Sequence, residues 1–316
     1  MFSALFLILL GLATGASAKL HKIIIGTFST ESLYTVQYND VLEDLTLVAQ
    51  SAASAASSWI TLNHDRTKLY GTNWDSQEPT WISYDVTDPY DIKVEAKIIA
   101  GSMCSGSKSI FVNAYQEKPY SVYGNYYYGD ARCSTVLSVH KNGTLKEVIQ
   151  EYVYLPGSAV HGTAITPDGC FLLSADTEGN LIWTHRIDQV TGTLSNVSVI
   201  EGPSDGSGPR HLTIHKNGNY AYVVFEESSE VVQYSIGKDG TLSPVGDIYS
   251  LLRKGQDPAN YWADEVSLSR ENNYLWATNR ARNNTQKEYV SAFQLNPTGD
   301  ICSSEPFQRL HRRFDG

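Results

Sequence analysis

Residues 161–176, HGTAITPDGCFLLSAD, and residues 210–226, RHLTIHKNGNYAYVVFE, carry one pattern twice. In each, apolar residues alternate with polar or small ones (Ala164, Thr166; Leu212, Ile214), a polar turn follows, and an aromatic or aliphatic run resumes. A period of two, broken by Pro-Asp-Gly or Lys-Asn-Gly, predicts two short antiparallel strands around a tight turn. What differs between the copies is the strand ends. His161 opens the first copy, Arg210 opens the second and Glu226 closes it, which makes all three candidate site residues.

Outward from these copies, the same turn position recurs at Asp65, Glu117, Asp168, Asn217 and Glu271, each about fifty residues from the next. Runs such as TWISYDV (80–86), DIKVEAKII (91–99) and EVVQYSIG (230–237) lie between the anchors and read as outer strands. About four short strands per unit predict a β-propeller, whose blades bury their faces only by stacking on one another. The segments 21–29, 32–39 and 45–52 read as the second to fourth strands of a blade without its innermost strand. At the other end RLHRRFDG (309–316) does not alternate as a strand does. The expectation is therefore one all-β domain over 19–316 with about six blades, the last blade and the closing strand being absent.

The composition agrees, with 11% aromatic residues, 20 Tyr and 24 Gly in 316 positions, a profile suited to many strands and turns. A formal charge of −10 argues against general affinity for nucleic acid or anionic membranes, so an anionic ligand needs a local cluster of Arg, His or Lys. Residues 1–18 hold an apolar core from Leu5 to Leu12 and end in Ala16-Ser17-Ala18, which reads as a cleaved signal peptide although no Lys or Arg precedes the core. That predicts a secreted protein. The sequons at Asn142, Asn196 and Asn283 fit a glycoprotein. The four cysteines (Cys104, Cys133, Cys170, Cys302) form no C-x-x-C pair; Cys104 and Cys133, closest in sequence, are expected to join, with Cys170 a small buried hydrophobe.

Several further pieces resemble a known family: Val160-His161-Gly162, Ser174-Ala175-Asp176, Trp183-Thr184-His185-Arg186, Pro209-Arg210, the run to Glu226, and Ala277-Thr278-Asn279-Arg280-Ala281. Together with Ser58-Trp59 and Leu69-Tyr70-Gly71, they are similar to the seven-bladed lactonase β-propellers over about Ile23 to Leu295. Within that family the likeness is to carboxy-cis,cis-muconate cyclases, with 6-phosphogluconolactonases as relatives. The secretion signal departs from the cytosolic members of the family, and so does the absent final blade. By resemblance the site falls on His161, Arg210, Glu226 and Arg280, with no cofactor and no metal.

The implied chemistry is intramolecular lactonization of a polycarboxylated muconate, an isomerase reaction, or the related lactone hydrolysis, on a small anionic substrate. Arg210 and Arg280 suit substrate carboxylates, because a planar guanidinium binds them bidentately and keeps its charge. His161 or a protonated Glu226 supplies the proton, and the residues alone leave that choice open. Glu227 competes with Glu226 and Arg282 with Arg280, since neighbours on a strand face opposite ways. A non-catalytic ligand-binding propeller, or an inactive relative, is the other class to weigh. Gly202-Pro203-Ser204-Asp205-Gly206 fits G-x-S-x-G but sits in a loop without the strand and helix that a nucleophile elbow needs. His211 and His215 lack the helix of a zinc H-E-x-x-H motif.

Overall fold

The computed structural model describes residues 19–75, 78–128, 132–283 and 286–302, and the backbone of 307–311. The expected signal peptide, residues 1–18, lies outside them. Six antiparallel sheets follow one another along the chain. The first has three strands, β1 (Leu20–Ile25), β2 (Ser32–Asn39) and β3 (Asp44–Ala52). Four strands make each of the rest. They are β4 (Ile60–Leu62), β5 (Lys68–Gly71), β6 (Thr80–Asp85) and β7 (Lys93–Ile99), then β8 (Lys108–Ala114), β9 (Val122–Tyr127), β10 (Cys133–Val139) and β11 (Leu145–Val153). The fourth sheet comprises β12 (Val160–Ile165), β13 (Phe171–Asp176), β14 (Leu181–Ile187) and β15 (Leu194–Glu201). The fifth comprises β16 (Pro209–Ile214), β17 (Tyr220–Phe225), β18 (Glu230–Ile236) and β19 (Leu242–Ser250), and the sixth β20 (Tyr261–Leu268), β21 (Tyr274–Ala281), β22 (Glu288–Gln294) and β23 (Phe307–His311).

Strand order follows chain order within every sheet, so each blade is a simple meander. The first strands of successive blades contact one another, β4 with β8, β8 with β12, β12 with β16 and β16 with β20. The six sheets match the number expected from the fifty-residue interval. The C-terminal end departs from expectation, because β23 does pair with β22, Leu310 opposite Tyr289. Among the described residues β1 has β2 as its only partner, and no C-terminal strand pairs with it. No described helix is long and apolar enough to cross a membrane.

The core is a series of inter-blade layers. Leu173, Ala175 and Ile182 of the fourth sheet pack on Leu212, Val223 and Phe225 of the fifth. Tyr222, Val224 and Val231 pack in turn on Ala263, Leu275 and Phe293 of the sixth. Each layer is apolar on both sides because both faces of a middle strand are covered, and for this reason β13 and β17 read as near-continuous hydrophobic runs.

A polar pin repeats between blades. Tyr70 on β5 donates its hydroxyl to the carbonyl of Gly143 at 2.6 Å, Tyr123 on β9 does so to Gly192 at 2.9 Å, and Tyr222 on β17 does so to Gly299. All three glycines have positive φ, from 77° to 98°, where a side chain would be strained. Cys104, in the short 3-10 turn Ser102–Cys104, is bonded to Cys133 at the start of β10, as expected. Closing that loop restricts the unfolded chain by about 3–4 kcal/mol. Cys170 is half-buried, contrary to the expectation of a buried hydrophobe, because it ends a surface turn; Cys302 is exposed.

Candidate functional site

Four of the innermost strands, β8, β12, β16 and β20, share an irregularity that β4 lacks. Pairing with the second strand slips at Ile110 in β8, at His161 in β12 and at Arg210 in β16, and Asp264-Glu265 face a single partner residue in β20. A bulge releases side chains from strict alternation and re-aims them. Adjacent residues can then enter one cluster, as Arg210 with His211 and Asp264 with Glu265 both do.

Two guanidiniums and two carboxylates make a closed lattice. Arg210 Nη1 donates to Asp264 Oδ1 at 2.6 Å and to the Asp264 carbonyl at 2.7 Å, and its Nε stands 3.0 Å from Glu226 Oε2. Arg280 Nη2 donates to Glu226 Oε1 at 3.1 Å, and its Nε lies 3.2 Å from Asp264 Oδ1. Both Nε contacts have ion-pair distance without hydrogen-bond alignment. The Arg210 side chain is 10% exposed and that of Arg280 40% exposed. Removing one member of a buried pair strands its partner at a cost of about 3–5 kcal/mol, so Arg210 is a strut of the site. Arg280 has a face open to a ligand. Burial pushes the Glu226 carboxyl above its ordinary pKa, while Arg210 and Arg280 pull it down.

Beside the lattice runs a hydrogen-bonded chain. His161 Nδ1 lies 2.8 Å from His211 Nε2, and His211 Nδ1 lies 2.7 Å from Glu265 Oε2. An ionised carboxylate only accepts, so His211 Nδ1 carries hydrogen. With both rings neutral, His211 Nε2 accepts from His161 Nδ1–H, and His161 Nε2 is left with its lone pair. That nitrogen bonds to no described residue. Burial, then Arg210, His211 and Arg280, hold the His161 pKa well below the usual histidine value. Trp59 and Phe111 flank His211, with ring centroids at 4.8 and 5.4 Å, and Tyr127 meets His161 edge to face at 5.3 Å. Gly162 is required for the approach of the two strands, since a Cβ there would stand 2.6 Å from His211 Cδ2 and 2.8 Å from the Arg210 carbonyl oxygen.

The structure brings His161, Arg210, Glu226 and Arg280 into one neighbourhood and separates the competing neighbours. Glu227 turns to Arg282 and accepts from Trp262 Nε1 at 3.1 Å, a second ion pair beside the first. Three members were not singled out from the sequence, namely His211, Asp264 and Glu265. His211 had been weighed only as a partner of His215, which instead lies 3.4 Å from the Asn272 carbonyl at the far end of β16. Among the described residues no group of three or more His, Cys, Asp or Glu is arranged to hold a metal ion.

A cleft of about 380 Å³ adjoins the cluster, lined in part by Tyr127, Tyr128, Arg132, Ser158 and Glu178. A larger one, about 570 Å³, is formed by turn residues including His64, Tyr120, His140 and Val190. Those turns join first to second and third to fourth strands, so the larger cleft opens on the opposite face of the disc from the cluster.

The sequence-family profile described as "Lactonase, 7-bladed beta-propeller" matches residues 22–308. The chain is 30% identical to the carboxy-cis,cis-muconate cyclase of Neurospora crassa over 300 residues, 89% of this chain and 80% of that protein. It is 29% identical to the 6-phosphogluconolactonase of Blochmanniella floridana over 63% of this chain and 56% of the other. Among solved structures, the periplasmic gluconolactonase of Pseudomonas aeruginosa superposes with a TM-score of 0.76 at 20% identity, covering 92% of this chain and 83% of that one. The chain therefore belongs to the seven-bladed lactonase β-propeller family, its described residues forming six sheets.

Proposed function

We propose that this chain closes or opens a lactone on a small carboxylated substrate, as a carboxy-cis,cis-muconate cyclase-like enzyme. The reading is carried by the chain from Glu265 through His211 to His161, which ends in a ring nitrogen bonded to no described residue. In the closing direction a substrate carboxylate oxygen forms the new C–O bond to one alkene carbon, and the adjacent carbon takes a proton. Holding the two groups together supplies the nucleophile at high effective concentration. The proton comes from His161 Nε2–H in the acid form of the pair, which has taken one proton from solvent and holds the charge on His211 beside Glu265. As it leaves, His211 Nε2–H passes to His161 Nδ1, so the positive charge that Glu265 stabilised on His211 is discharged and both rings end neutral. Opening is the same sequence reversed. Arg280, over the Trp262 ring at 5.6 Å, holds a substrate carboxylate through its open face.

Hydrolysis of a neutral lactone is the second reading, favoured by the depressed His161 pKa, which leaves the ring a base in the resting site. Water would then lose its proton to Nε2 and attack the lactone carbonyl. The test is an assay of the purified chain, with chelator present, on 3-carboxy-cis,cis-muconate and on aldonolactones. Consumption of the first supports cyclization and consumption of only the second supports hydrolysis. No turnover of either by a folded chain would move the reading to a ligand-binding propeller.

A further inference from the structure

Every arginine in the cluster is already engaged with protein carboxylates. Arg210 and Arg280 face Glu226 and Asp264, and Arg282 faces Glu227. Glu265 adds a further carboxylate beside the lattice. A substrate bearing several carboxylates would enter a site whose own charges are balanced or negative, so part of its charge must be met elsewhere.

The adjoining cleft of about 380 Å³ has what is needed. Arg132 lines it and is exposed; its carbonyl accepts from Tyr154 N at 2.8 Å, while its guanidinium makes no hydrogen bond or ion pair with a described residue. Ser158 lines it too; the residue is 6% exposed, and its Oγ is buried with no hydrogen-bond partner. A buried hydroxyl without a partner is uncommon in a folded protein and marks a place where a bound group can be missing. Tyr127 connects the cleft to the chemistry, its ring 5.3 Å from His161 and 4.6 Å from Tyr128. The Tyr127 hydroxyl donates to Glu178 Oε1 at 3.0 Å, which fixes the ring as the wall between cleft and cluster.

We propose that this cleft is a subsite for a substrate carboxylate remote from the reacting carbon, with Arg132 as its cation and Ser158 Oγ–H as a second donor. The proposal rests on reading the His161 cluster as a lactone site. It narrows the ligand class to small acids with at least two carboxylates, one at Arg132 and another at the open face of Arg280. Because the Arg132 side chain is exposed and makes no bond with a described residue, replacing it leaves the backbone bond to Tyr154 and the packing of the blade untouched.

The experiment is a calorimetric titration of the full chain with tricarballylate, a stable tricarboxylate that has no lactone or alkene to react. Arg132→Gln is expected to bind about tenfold more weakly than wild type and Ser158→Ala severalfold more weakly, as befits loss of charge-assisted and neutral hydrogen bonds. Equal affinity of wild type and Arg132→Gln, or no binding by wild type, overturns the subsite. Arg132-dependent binding by a chain that turns over neither muconate nor lactones would overturn the lactone reading and leave the subsite standing.

Discussion

Blade four holds two buried histidines with opposite surroundings. His185 on β14 is sealed among Tyr152, Tyr154 and Trp183, with ring centroids at 4.6, 5.8 and 6.3 Å, and neither of its nitrogens has a hydrogen-bond partner. Its near-perpendicular contact with Tyr152, at 81°, is the arrangement in which a ring edge meets an aromatic face. His161 on β12 is buried as well, yet its Nδ1 is tied to His211 and, through it, to Glu265. Burial depresses both pKa values, that of His185 to about 4. The perturbation alone therefore does not mark a site. The directed chain of donors, ending in a nitrogen that bonds to no described residue, does.

The sharpest way to break this contrast is to remove each ring in turn. His161→Ala should lower kcat by about 10²–10⁴, the usual worth of a positioned proton-transfer group. His185→Leu should leave kcat unchanged. Steady-state kinetics on whichever substrate the chain accepts decides it, and equal losses in the two variants would dissolve the distinction.

A second test uses stability against pH. The His185 pKa is about 4 when folded against an ordinary histidine value of 6.5, so the unfolded chain binds more protons between those values. Its contribution is fully present above about pH 6.5 and is lost as pH falls toward 4, in all about 3 kcal/mol. Denaturant melts of His185→Leu should show a shallower acid slope by that amount; what remains includes His161, which is shifted the same way. An unchanged slope would mean that the His185 cage admits water.

The smallest effect expected is at Glu265. Glu265→Gln keeps the contact with His211 but no longer stabilises a charge there, so kcat should fall about tenfold. Its pH profile should shift while KM holds. A purely structural role would lower the melting temperature without moving the profile.

Much of the fold is legible in the turns. Asp168 and Asn217 sit where a tight turn needs a short polar side chain: Asp168 Oδ1 accepts from Cys170 N and Asn217 Oδ1 accepts from Asn219 N. The strand β23 was illegible because its residues do not alternate, and pairing with β22 recruits it regardless. The site was half legible. His161, Arg210, Glu226 and Arg280 followed from family resemblance, the first three also from their places at the ends of the repeated strands. Asp264, Glu265 and His211 did not, because strict alternation forbids two neighbours from facing one cluster. The bulges of β16 and β20 suspend that rule, and one sequence gives no sign of where a bulge falls.

The disulfide of blade three has a consequence for the cleft beside His161. Cys133 directly follows Arg132, and the loop closed by the bond contains Tyr127 and Tyr128, so the covalent link secures the wall that the substrate would touch. Both sulfurs belong to residues with at most 2% of their surface exposed. Thiol exchange requires a thiolate to reach a sulfur, so reductant acts only on molecules whose third blade has opened locally. The recognition surface should therefore outlast a change of redox environment for as long as that blade stays shut, and its lifetime under reduction would report the opening rate of a single blade.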